Sequence, residues 1–429
     1  MARLYTLLLY LAVPALLLRL LWRSIRAPAY RDRWRERLGG YATPPRPAEV
    51  WVHAVSVGEV QASQPLIRHL LGRDDSAGVI VTTTTPTGAA RLRELFAARV
   101  QHAYTPFDLP PVVGRFLNLV RPRLVLVIET EIWPNMLAAC NRRGIPVILA
   151  NARLSARSAR GYARLGRFTA DTMGRFALIA AQSEDDAARF RALGVPGERI
   201  RVTGSIKFDL RLPASLLDRA EVMRRAWGTN RPVWVAASTH EGEDELMLAA
   251  HRQVRRRLPS ALLVLVPRHP ERFDRVAALA QRDGWTLARR SLGAGCGDQC
   301  DVYLGDTMGE LPMLLAAADA AFIGGSLVPV GGHNLLEAAA LGVPVVVGPQ
   351  VFNFAEITRL LVAGGGAVQV ADVEGLARVL ADWLGDAAER ARIGENGRRF
   401  VDRNRGALDR LIAVVDERLA AADEAARRA

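Results

Sequence analysis

Short apolar runs alternate with longer stretches of mixed polarity along most of the 429-residue chain. Nearly every position of these runs is hydrophobic, which is typical of parallel strands covered on both faces. The stretches between them are long enough for crossover helices, so the pattern predicts βαβ units and a doubly wound sheet. The predicted strands are residues 50–56, 78–84, 124–130, 145–151 and 177–183 in the first half, and residues 232–238, 261–267, 320–325 and 343–348 in the second.

The strand pattern pauses near residues 205–230 and then resumes, which favours two domains of similar architecture. The length agrees, because 429 residues are too many for one ordinary core and suggest two domains of about 150–200 residues. We expect two doubly wound α/β domains facing a cleft, with ligands at the carboxyl ends of the strands. The expected segments are 1–40 for a membrane anchor with a basic segment, 48–210 for the first domain, 211–230 for a linker, 231–385 for the second domain and 386–429 for C-terminal helices.

The first forty residues combine an apolar run with many arginines. Residues 4–18 are almost wholly apolar, which is near the lower limit for a membrane span. This order predicts a membrane anchor, spanning or lying in the interface, with the rest of the chain on the cytoplasmic side and the arginines near anionic headgroups. A buried amphipathic helix is the alternative. The arginines that follow the run are Arg19, Arg23, Arg26, Arg31, Arg33, Arg35 and Arg37.

The charge and the cysteines exclude other classes. The net charge of +13 would suggest nucleic acid, but part of it adjoins the apolar run, so we expect a membrane surface and no nucleic acid. Three cysteines are too few for a disulfide framework and fit a reducing compartment. Cys296 and Cys300 border a short loop, yet no second Cys/His pair completes a metal site, so we expect no metal.

The stretch HAVSVGEV, residues 53–60, ends a predicted strand and opens a helix. Glu59 falls in the first helical turn, where a carboxylate complements the helix dipole. A carboxylate at the carboxyl end of a strand is also well placed to act as a general base. The sequence leaves both roles open.

Two further strand ends in the first half carry polar side chains. Glu129 and Glu131 follow one strand, and carboxylates at a buried strand end need partners. They could hold sugar hydroxyls, stabilise a developing cation, or pair with the arginines of residues 151–158. The hydroxyl-rich residues 81–89 could bind a polar ligand or cap a helix.

In the second half, Arg268 leaves a strand between two prolines and is well placed for a phosphate or a carboxylate. Residues 324–349 hold a glycine-rich turn before a helix, which can bind phosphate through backbone N–H groups. Glu337 lies one turn into that helix and could accept ribose hydroxyls. This stretch is not a P-loop, and the first βα turn of the chain lacks the fingerprint G-x-G-x-x-G, which argues against a dinucleotide cofactor.

Lys207 is the only lysine among the 57 Lys and Arg residues. Chance is one explanation. The other is a tight polar site that accepts a compact ammonium and not a wide guanidinium.

Together these motifs resemble those of the bacterial Kdo transferases, the 3-deoxy-D-manno-octulosonic acid transferases of lipopolysaccharide synthesis. Two positions depart from the family pattern, Ser205 where Asn is common and Gln350 where His is usual. The matching segments are SVGE (56–59), ETEIWPN (129–135), NARLS (151–155), IKFD (206–209), ASTHEGE (237–243), VPRHPERF (266–273), GDTMGEL (305–311) and GGSLVPVGGHNLLE (324–337).

The resemblance implies a GT-B fold, with an acceptor-binding and a CMP-sugar-binding Rossmann-like domain. It implies inverting transfer of Kdo from CMP-Kdo to a lipid A precursor (lipid IVA) at the cytoplasmic face of the inner membrane. No metal or cofactor is implied, and CMP-Kdo is a substrate. By resemblance, Glu59 is the general base, and Glu129 and Lys207 stabilise the transition state. The implied nucleotide-binding residues are Pro267, Arg268, Met308, Gly309, Glu310, Asn334, Leu335, Leu336 and Glu337.

Two other functions stay open on the residues alone. One is a GT-B enzyme that uses a UDP-sugar, as a transferase or a 2-epimerase. The other is a non-catalytic lipid-binding membrane protein. The number of Kdo residues added, the acyl pattern of the acceptor and the oligomeric state are also open.

Overall fold

The computed structural model describes residues 1–73, 78–210, 212–293, 296–297 and 299–428. By its internal contacts the chain divides into two units. Unit 1 comprises Met1–Asp209 and Arg405–Ala429, and unit 2 comprises Leu210–Asn404. The first unit is therefore built from both ends of the chain.

Unit 1 contains one parallel sheet with helices between its strands, as the apolar runs predict. Its strands are β1 Val50–His53, β2 Val79–Thr83, β3 Gln101–Tyr104, β4 Leu124–Ile128, β5 Val147–Ala152, β6 Leu178–Ala181 and β7 Ile200–Val202. Its helices are α1 Ala2–Arg26, α2 Val57–Arg73, α3 Pro86–Phe96, α4 Pro110–Val120, α5 Pro134–Arg142, α6 Ala156–Ala163, α7 Arg167–Met173, α8 Glu184–Ala192 and, from the C-terminus, α17 Ala407–Arg428.

Unit 2 repeats this architecture with different sequence. Its strands are β8 Val233–Thr239, β9 Leu262–Pro267, β10 Leu287–Arg289, β11 Val302–Leu304, β12 Ala320–Ile323, β13 Val345–Val347 and β14 Ala367–Gln369. Its helices are α9 Leu216–Trp227, α10 Glu243–Arg257, α11 Phe273–Arg282, α12 Leu311–Ala316, α13 Leu336–Ala340, α14 Ala355–Ala363, α15 Val373–Gly385 and α16 Ala387–Asn404.

Each sheet reverses its winding direction at one place. The strand order is β3-β2-β1-β4-β5-β6-β7 in unit 1 and β10-β11-β9-β8-β12-β13-β14 in unit 2. The reversal lies between β1 and β4 in the first sheet, and between β8 and β12 in the second. The central strands of both sheets are buried on both faces, so mostly apolar residues, chiefly Val, Leu, Ile and Ala, fill them. Loops that diverge at such a reversal leave a crevice where ligands bind.

The strands predicted from apolar runs are all present, although most end one to three residues before the run does. The pattern missed β3, β7, β10, β11 and β14. These are short, and all except β11 lie at an edge of a sheet. Edge strands bury less surface, so their sequences carry a weaker apolar signal. The predicted linker, residues 211–230, contains α9.

The charged C-terminal segment is helical, as predicted, and α17 packs into the core of unit 1 through Leu408, Leu411 and Val415. Asp209 fixes its start, because its two carboxylate oxygens accept hydrogen bonds from the backbone N–H groups of Gly406 and Leu408, each 2.6 Å long. This contact joins the start of α17 to the turn that carries Lys207.

Candidate active site

The first sheet places two of the predicted catalytic residues at its winding reversal. His53 and Val127 are paired at the carboxyl ends of the neighbouring strands β1 and β4. Glu59 follows β1, in the first turn of α2, and Glu129 is the first residue after β4. Both carboxylates therefore lie where doubly wound sheets bind ligands.

Glu59 caps its own helix and is also buried. Its carboxylate accepts hydrogen bonds from the backbone N–H of Val55 at 2.8 Å and from the Ser56 hydroxyl at 2.9 Å. The Ser56 hydroxyl in turn accepts the Glu59 N–H at 3.3 Å. Ser56 and Glu59 together cap the start of α2, although the carboxylate takes its backbone N–H from Val55 and not from Ser56 as in a capping box. These bonds show that Glu59 stabilises the start of its helix, one of the two roles that the sequence left open. The side chain is also buried, with only 8% of the residue exposed, and the first role does not exclude the second.

Burial raises the pKa of Glu59 to about 8. The negative charges of Glu129 and Glu131 raise this pKa further, while the bonds from Val55 and Ser56 oppose the rise. Desolvation of the charged form is the main cause. A carboxyl group with such a pKa can gain or lose a proton near neutral pH, which is the property a general base requires.

Glu129 forms an ion pair with Lys207, with 2.9 Å between Oε1 and Nζ. About a quarter of each side chain is exposed, so the pair can reach a ligand. The backbone of Glu129 is left-handed, with φ of 63°, an uncommon conformation for a non-glycine residue that often marks functional sites. Glu131 accepts a hydrogen bond from the Trp133 indole at 2.9 Å, and burial raises its pKa.

Asn151 holds the turn that carries Lys207. It also has a left-handed backbone, with φ of 54°, and its side-chain oxygen accepts the N–H of Ile206 at 3.2 Å. Its Nδ2 and the Ser205 hydroxyl are buried without hydrogen-bond partners among the described atoms. In the sequence, Asn151 stands out only as the first residue of the NARLS motif. Its contact with Ile206 shows that it positions the turn.

At the winding reversal of unit 2, two loops that contain glycine lie close together. Ala237 of β8 pairs with Ile323 of β12, and residues 240–243 and 324–327 follow these strands. Glu243 joins the two loops. It is fully buried, and its carboxylate accepts four backbone N–H bonds, between 2.6 and 3.1 Å long, from His240, Gly325, Ser326 and Leu327. The sequence motif contained Glu243, but no signal showed that it organises the glycine-rich turn.

Two histidines lie in contact above these loops. The Nε2 atoms of His240 and His333 are 2.7 Å apart, and the rings are nearly parallel. One nitrogen must donate and the other accept, so at least one ring is neutral. Burial lowers the pKa of His333 to about 4 and also lowers that of His240, and the charge of Arg268 acts in the same direction on both. Arg268 therefore adds positive potential at both rings, while the carboxylate of Glu243 acts in the opposite direction on His240.

Arg268 is exposed directly after β9, and in the described part of the chain its guanidinium has no ion-pair partner. Pro267, the last residue of β9, is buried, whereas Met308 is 60% exposed beside Gly309. Glu310 is already engaged by Arg290, by Arg219 and by Thr307. These contacts, chiefly the one with Arg290, lower its pKa to about 2, so its carboxylate is ionised and neutralised by protein cations.

The predicted residues of the GGHNLLE segment differ in what they can offer a ligand. Leu335 and Leu336 are buried in the core, so only their backbone could reach a nucleotide. Asn334 caps the following turn by accepting the Leu336 N–H at 3.1 Å, and donates to Glu337 at 3.2 Å. Burial raises the pKa of Glu337. Within the described residues, no group of three or more His, Cys, Asp or Glu side chains is placed to hold a metal ion.

Comparisons with protein families match both units. The family described as 3-deoxy-D-manno-octulosonic-acid transferase (kdotransferase) matches residues 32–210. The family described as glycosyl transferases group 1 matches residues 235–400. The first match contains Glu59, Glu129 and Lys207, and the second contains the loops joined by Glu243.

Individual proteins extend these matches over more than nine tenths of the chain. The chain is 43% identical to the 3-deoxy-D-manno-octulosonic acid transferase of Haemophilus influenzae, over 95% of this chain and 96% of that protein. It is 40% identical to the transferase of the same description from Bordetella pertussis, over 92% and 95%. The solved UDP-GlcNAc 2-epimerase of Neisseria meningitidis aligns with a TM-score of 0.56 over 86% of this chain and 99% of that chain. Its 16% identity supports a shared fold alone.

Proposed function

The chain belongs to the 3-deoxy-D-manno-octulosonic acid (Kdo) transferase family, and from that premise we propose that it transfers Kdo from CMP-Kdo to a lipid A precursor in lipopolysaccharide synthesis. It is an enzyme, a glycosyltransferase, and the expectation of a GT-B type α/β fold is confirmed. The proposal concerns the donor, the acceptor and the roles of individual residues.

The observation that carries the proposal is the buried carboxyl of Glu59 at the winding reversal of the first sheet. Its pKa of about 8 lets it accept a proton near neutral pH. In the proposed reaction it takes the proton of the attacking acceptor hydroxyl. The hydroxyl oxygen bonds to the anomeric carbon of Kdo as the bond from that carbon to the phosphate oxygen breaks, and CMP leaves with the electron pair. One displacement of this kind inverts the anomeric centre and needs a single base.

The ion pair of Glu129 and Lys207 stabilises the charges that develop in the proposed transition state. As the bond to phosphate breaks, positive charge develops on the sugar ring and negative charge on the leaving group. A fixed carboxylate and a fixed ammonium, 2.9 Å apart, can stabilise opposite charges with little reorganisation. Lys207 can also meet the carboxylate of the acidic donor, which explains a compact cation at this position.

Unit 2 offers the groups for the nucleotide. Arg268 supplies an exposed cation, and its charge acts on both His240 and His333. These groups support binding of the CMP phosphate without a metal ion, so we propose a metal-free reaction, with CMP-Kdo as a substrate and no cofactor. The acceptor lies in a membrane, and we propose attachment of the N-terminal segment to the cytoplasmic face of the inner membrane.

The direct test is product analysis by mass spectrometry with CMP-Kdo and a tetra-acylated lipid A precursor. We expect the acceptor to gain the mass of one or more Kdo residues, with activity unchanged by EDTA. Turnover of a UDP-sugar with none of CMP-Kdo would refute the donor assignment. Lipid binding without turnover of either donor would refute the proposed activity.

A further inference from the structure

The N-terminal helix α1 has the length and the apolar composition of a membrane-crossing helix. Its contacts within unit 1 nevertheless differ along its two faces. One face is half-buried and the other is exposed, and each face continues along almost the whole helix. The half-buried positions are Tyr5, Thr6, Leu9, Ala12, Val13, Leu16, Leu17 and Leu20.

Polar side chains fasten the first turns of α1 to the body of unit 1. The Tyr5 hydroxyl donates to the carboxylate of Asp108 at 3.0 Å, and the Thr6 hydroxyl donates to the side-chain oxygen of Asn135 at 3.0 Å. Asp108 is 1% exposed and also accepts the backbone N–H groups of Asn135 and Met136 at the start of α5. The Tyr5 ring lies against Phe168 of α7, with 6.0 Å between ring centroids.

The other end of α1 is tied down as well. Ser24 is buried and accepts a hydrogen bond from Arg31 at 2.9 Å, and Arg33 then binds the carbonyl of His102 at 2.7 Å. A helix that rises 1.5 Å per residue covers about 28 Å between positions 5 and 24, which is nearly the thickness of the hydrocarbon core of a bilayer. A perpendicular span would therefore carry the polar cap of α5 through the membrane or break its contacts with Tyr5 and Thr6.

The exposed face is apolar along almost the whole helix, and contiguous apolar surface of this kind marks an interaction site. It repeats at helical spacing, and the C-terminal part of α1 carries Trp22, which is 63% exposed, with the exposed Arg19 and Arg23. Trp34 and Arg35 are exposed in the segment that follows the helix. Tryptophan and arginine favour the headgroup region of anionic membranes. The exposed apolar side chains of α1 are Leu4, Leu7, Leu8, Tyr10, Leu11, Leu18, Leu21 and Ile25.

We infer that α1 lies in the plane of the membrane, with its Leu-rich face in one leaflet of an anionic phospholipid bilayer and its opposite face docked on unit 1. The helix does not cross the bilayer. The inference goes beyond the proposed function, because it concerns how the chain is held at the membrane and does not depend on the substrate. It places the N-terminus on the same side of the membrane as the body of the protein.

Sidedness of labelling tests the inference in the full-length protein. A cysteine at exposed position 2 (Ala2→Cys) and a control cysteine at exposed Val222 (Val222→Cys) are each treated with a membrane-impermeant maleimide in inside-out and right-side-out vesicles. The native cysteines are buried, so the wild type gives the background. We expect both reporters to react in the same vesicle orientation. Reaction of the Ala2→Cys protein only in the opposite orientation would show a spanning helix and overturn the inference.

Docking of the helix is tested by a pair of tyrosine substitutions in protein bound to phosphatidylethanolamine–phosphatidylglycerol vesicles. Tyr5→Phe deletes the hydroxyl that binds Asp108, and we expect it to lower the melting temperature by roughly 2–4 °C. Tyr10→Phe is the matched control, because Tyr10 is 46% exposed on the other face, and it should leave the melting temperature unchanged. Equal melting temperatures for both variants and the wild type would show that α1 leaves the body when it binds lipid.

Membrane contact of the exposed face is measured by vesicle partitioning. Leu7→Gln and Leu11→Gln should each weaken partitioning by roughly tenfold, whereas Leu217→Gln, at an equally exposed leucine of α9 in unit 2, should have no effect. Unchanged partitioning of the α1 variants would show that the exposed face of α1 does not contact lipid and would overturn the inference.

Discussion

Replacing Glu59 with glutamine removes the titrating group after β1 while nearly preserving the shape of the side chain. The pKa of the wild-type carboxyl is about 8, so roughly a tenth of the molecules carry the ionised base at pH 7 and roughly nine tenths at pH 9. If Glu59 is the base, kcat of the wild type should rise about tenfold over this interval, and Glu59→Gln should lose on the order of 10²–10⁴-fold at pH 9.

The same ionisation also affects folding, with a sign that can be worked out. The pKa of Glu59 in the folded protein, about 8, lies above its ordinary value of 4.5. Between these values the folded protein keeps a proton that the unfolded chain has released. The resulting stabilisation is complete below pH 4.5 and is lost as the pH rises through 8. At about 1.4 kcal/mol per pH unit, the free energy of unfolding changes by at most about 5 kcal/mol across this window.

Glutamine does not titrate, so urea unfolding of both proteins at pH 5, 7 and 9 isolates the effect of the carboxyl. At pH 5 the folded wild type holds a proton on Glu59, so its carboxyl, like the glutamine amide, offers one donor and one good acceptor. We expect the two proteins to be about equally stable at pH 5 and the wild type to be the less stable one at pH 9. Glu184→Gln is the control, since Glu184 lies in the first turn of α8 behind a capping serine and is exposed.

Two results would refute this reasoning. Parallel stability curves for wild type and Glu59→Gln would show that the Glu59 carboxyl is not perturbed by burial. Near-normal turnover by a folded Glu59→Gln protein would show that the base lies elsewhere.

Three further substitutions test the contacts of Lys207, of Glu243 and of the start of α17. Lys207→Arg keeps the charge but displaces it, so we expect a loss of about 10²-fold in kcat, with Arg201→Lys in an exposed ion pair as the control; wild-type turnover by the folded variant would show that position 207 needs only positive charge. Glu243→Gln replaces an acceptor of two loop N–H bonds with a donor, so the free energy of unfolding should fall by about 1–3 kcal/mol, and CMP titration should show weaker binding; unchanged affinity would separate this carboxylate from the nucleotide site. Asp209→Asn removes one of two acceptors at the start of α17 and should lower the free energy of unfolding by about 1 kcal/mol; an unchanged urea midpoint would contradict the capping role.

The sequence predicted the parts of the fold that burial dictates. Continuous apolar runs identified the central strands because those strands are covered on both faces, whereas three-residue edge strands such as β14 left little signal. Glu59 was found by its place after a strand, but a helix cap and the proposed general base would use the same residue type at the same position. Its burial and its raised pKa are what favour the proposed role over a simple cap.

Contacts between distant parts of the chain could not be predicted in this way. The ion pair of Glu129 with Lys207, and the four N–H groups gathered by Glu243, depend on how loops from different strands converge. The position of α1 was undecided for the same reason. Composition alone cannot show that the hydroxyls of Tyr5 and Thr6 bond to the body of unit 1.

The insertion of α17 into unit 1 determines when that unit can form during protein synthesis. Its core includes Leu408, Leu411 and Val415. The carboxylate of Asp209 accepts hydrogen bonds from the N–H groups of Gly406 and Leu408. The ribosome makes these partners only after the whole of unit 2, which is contiguous in sequence. Unit 2 can therefore fold while synthesis continues, but unit 1 carries an open apolar surface until residues 405–415 have been synthesised. A messenger truncated after codon 404 would yield a folded second unit joined to a first unit that lacks part of its core, a product well suited to recognition by chaperones and proteases.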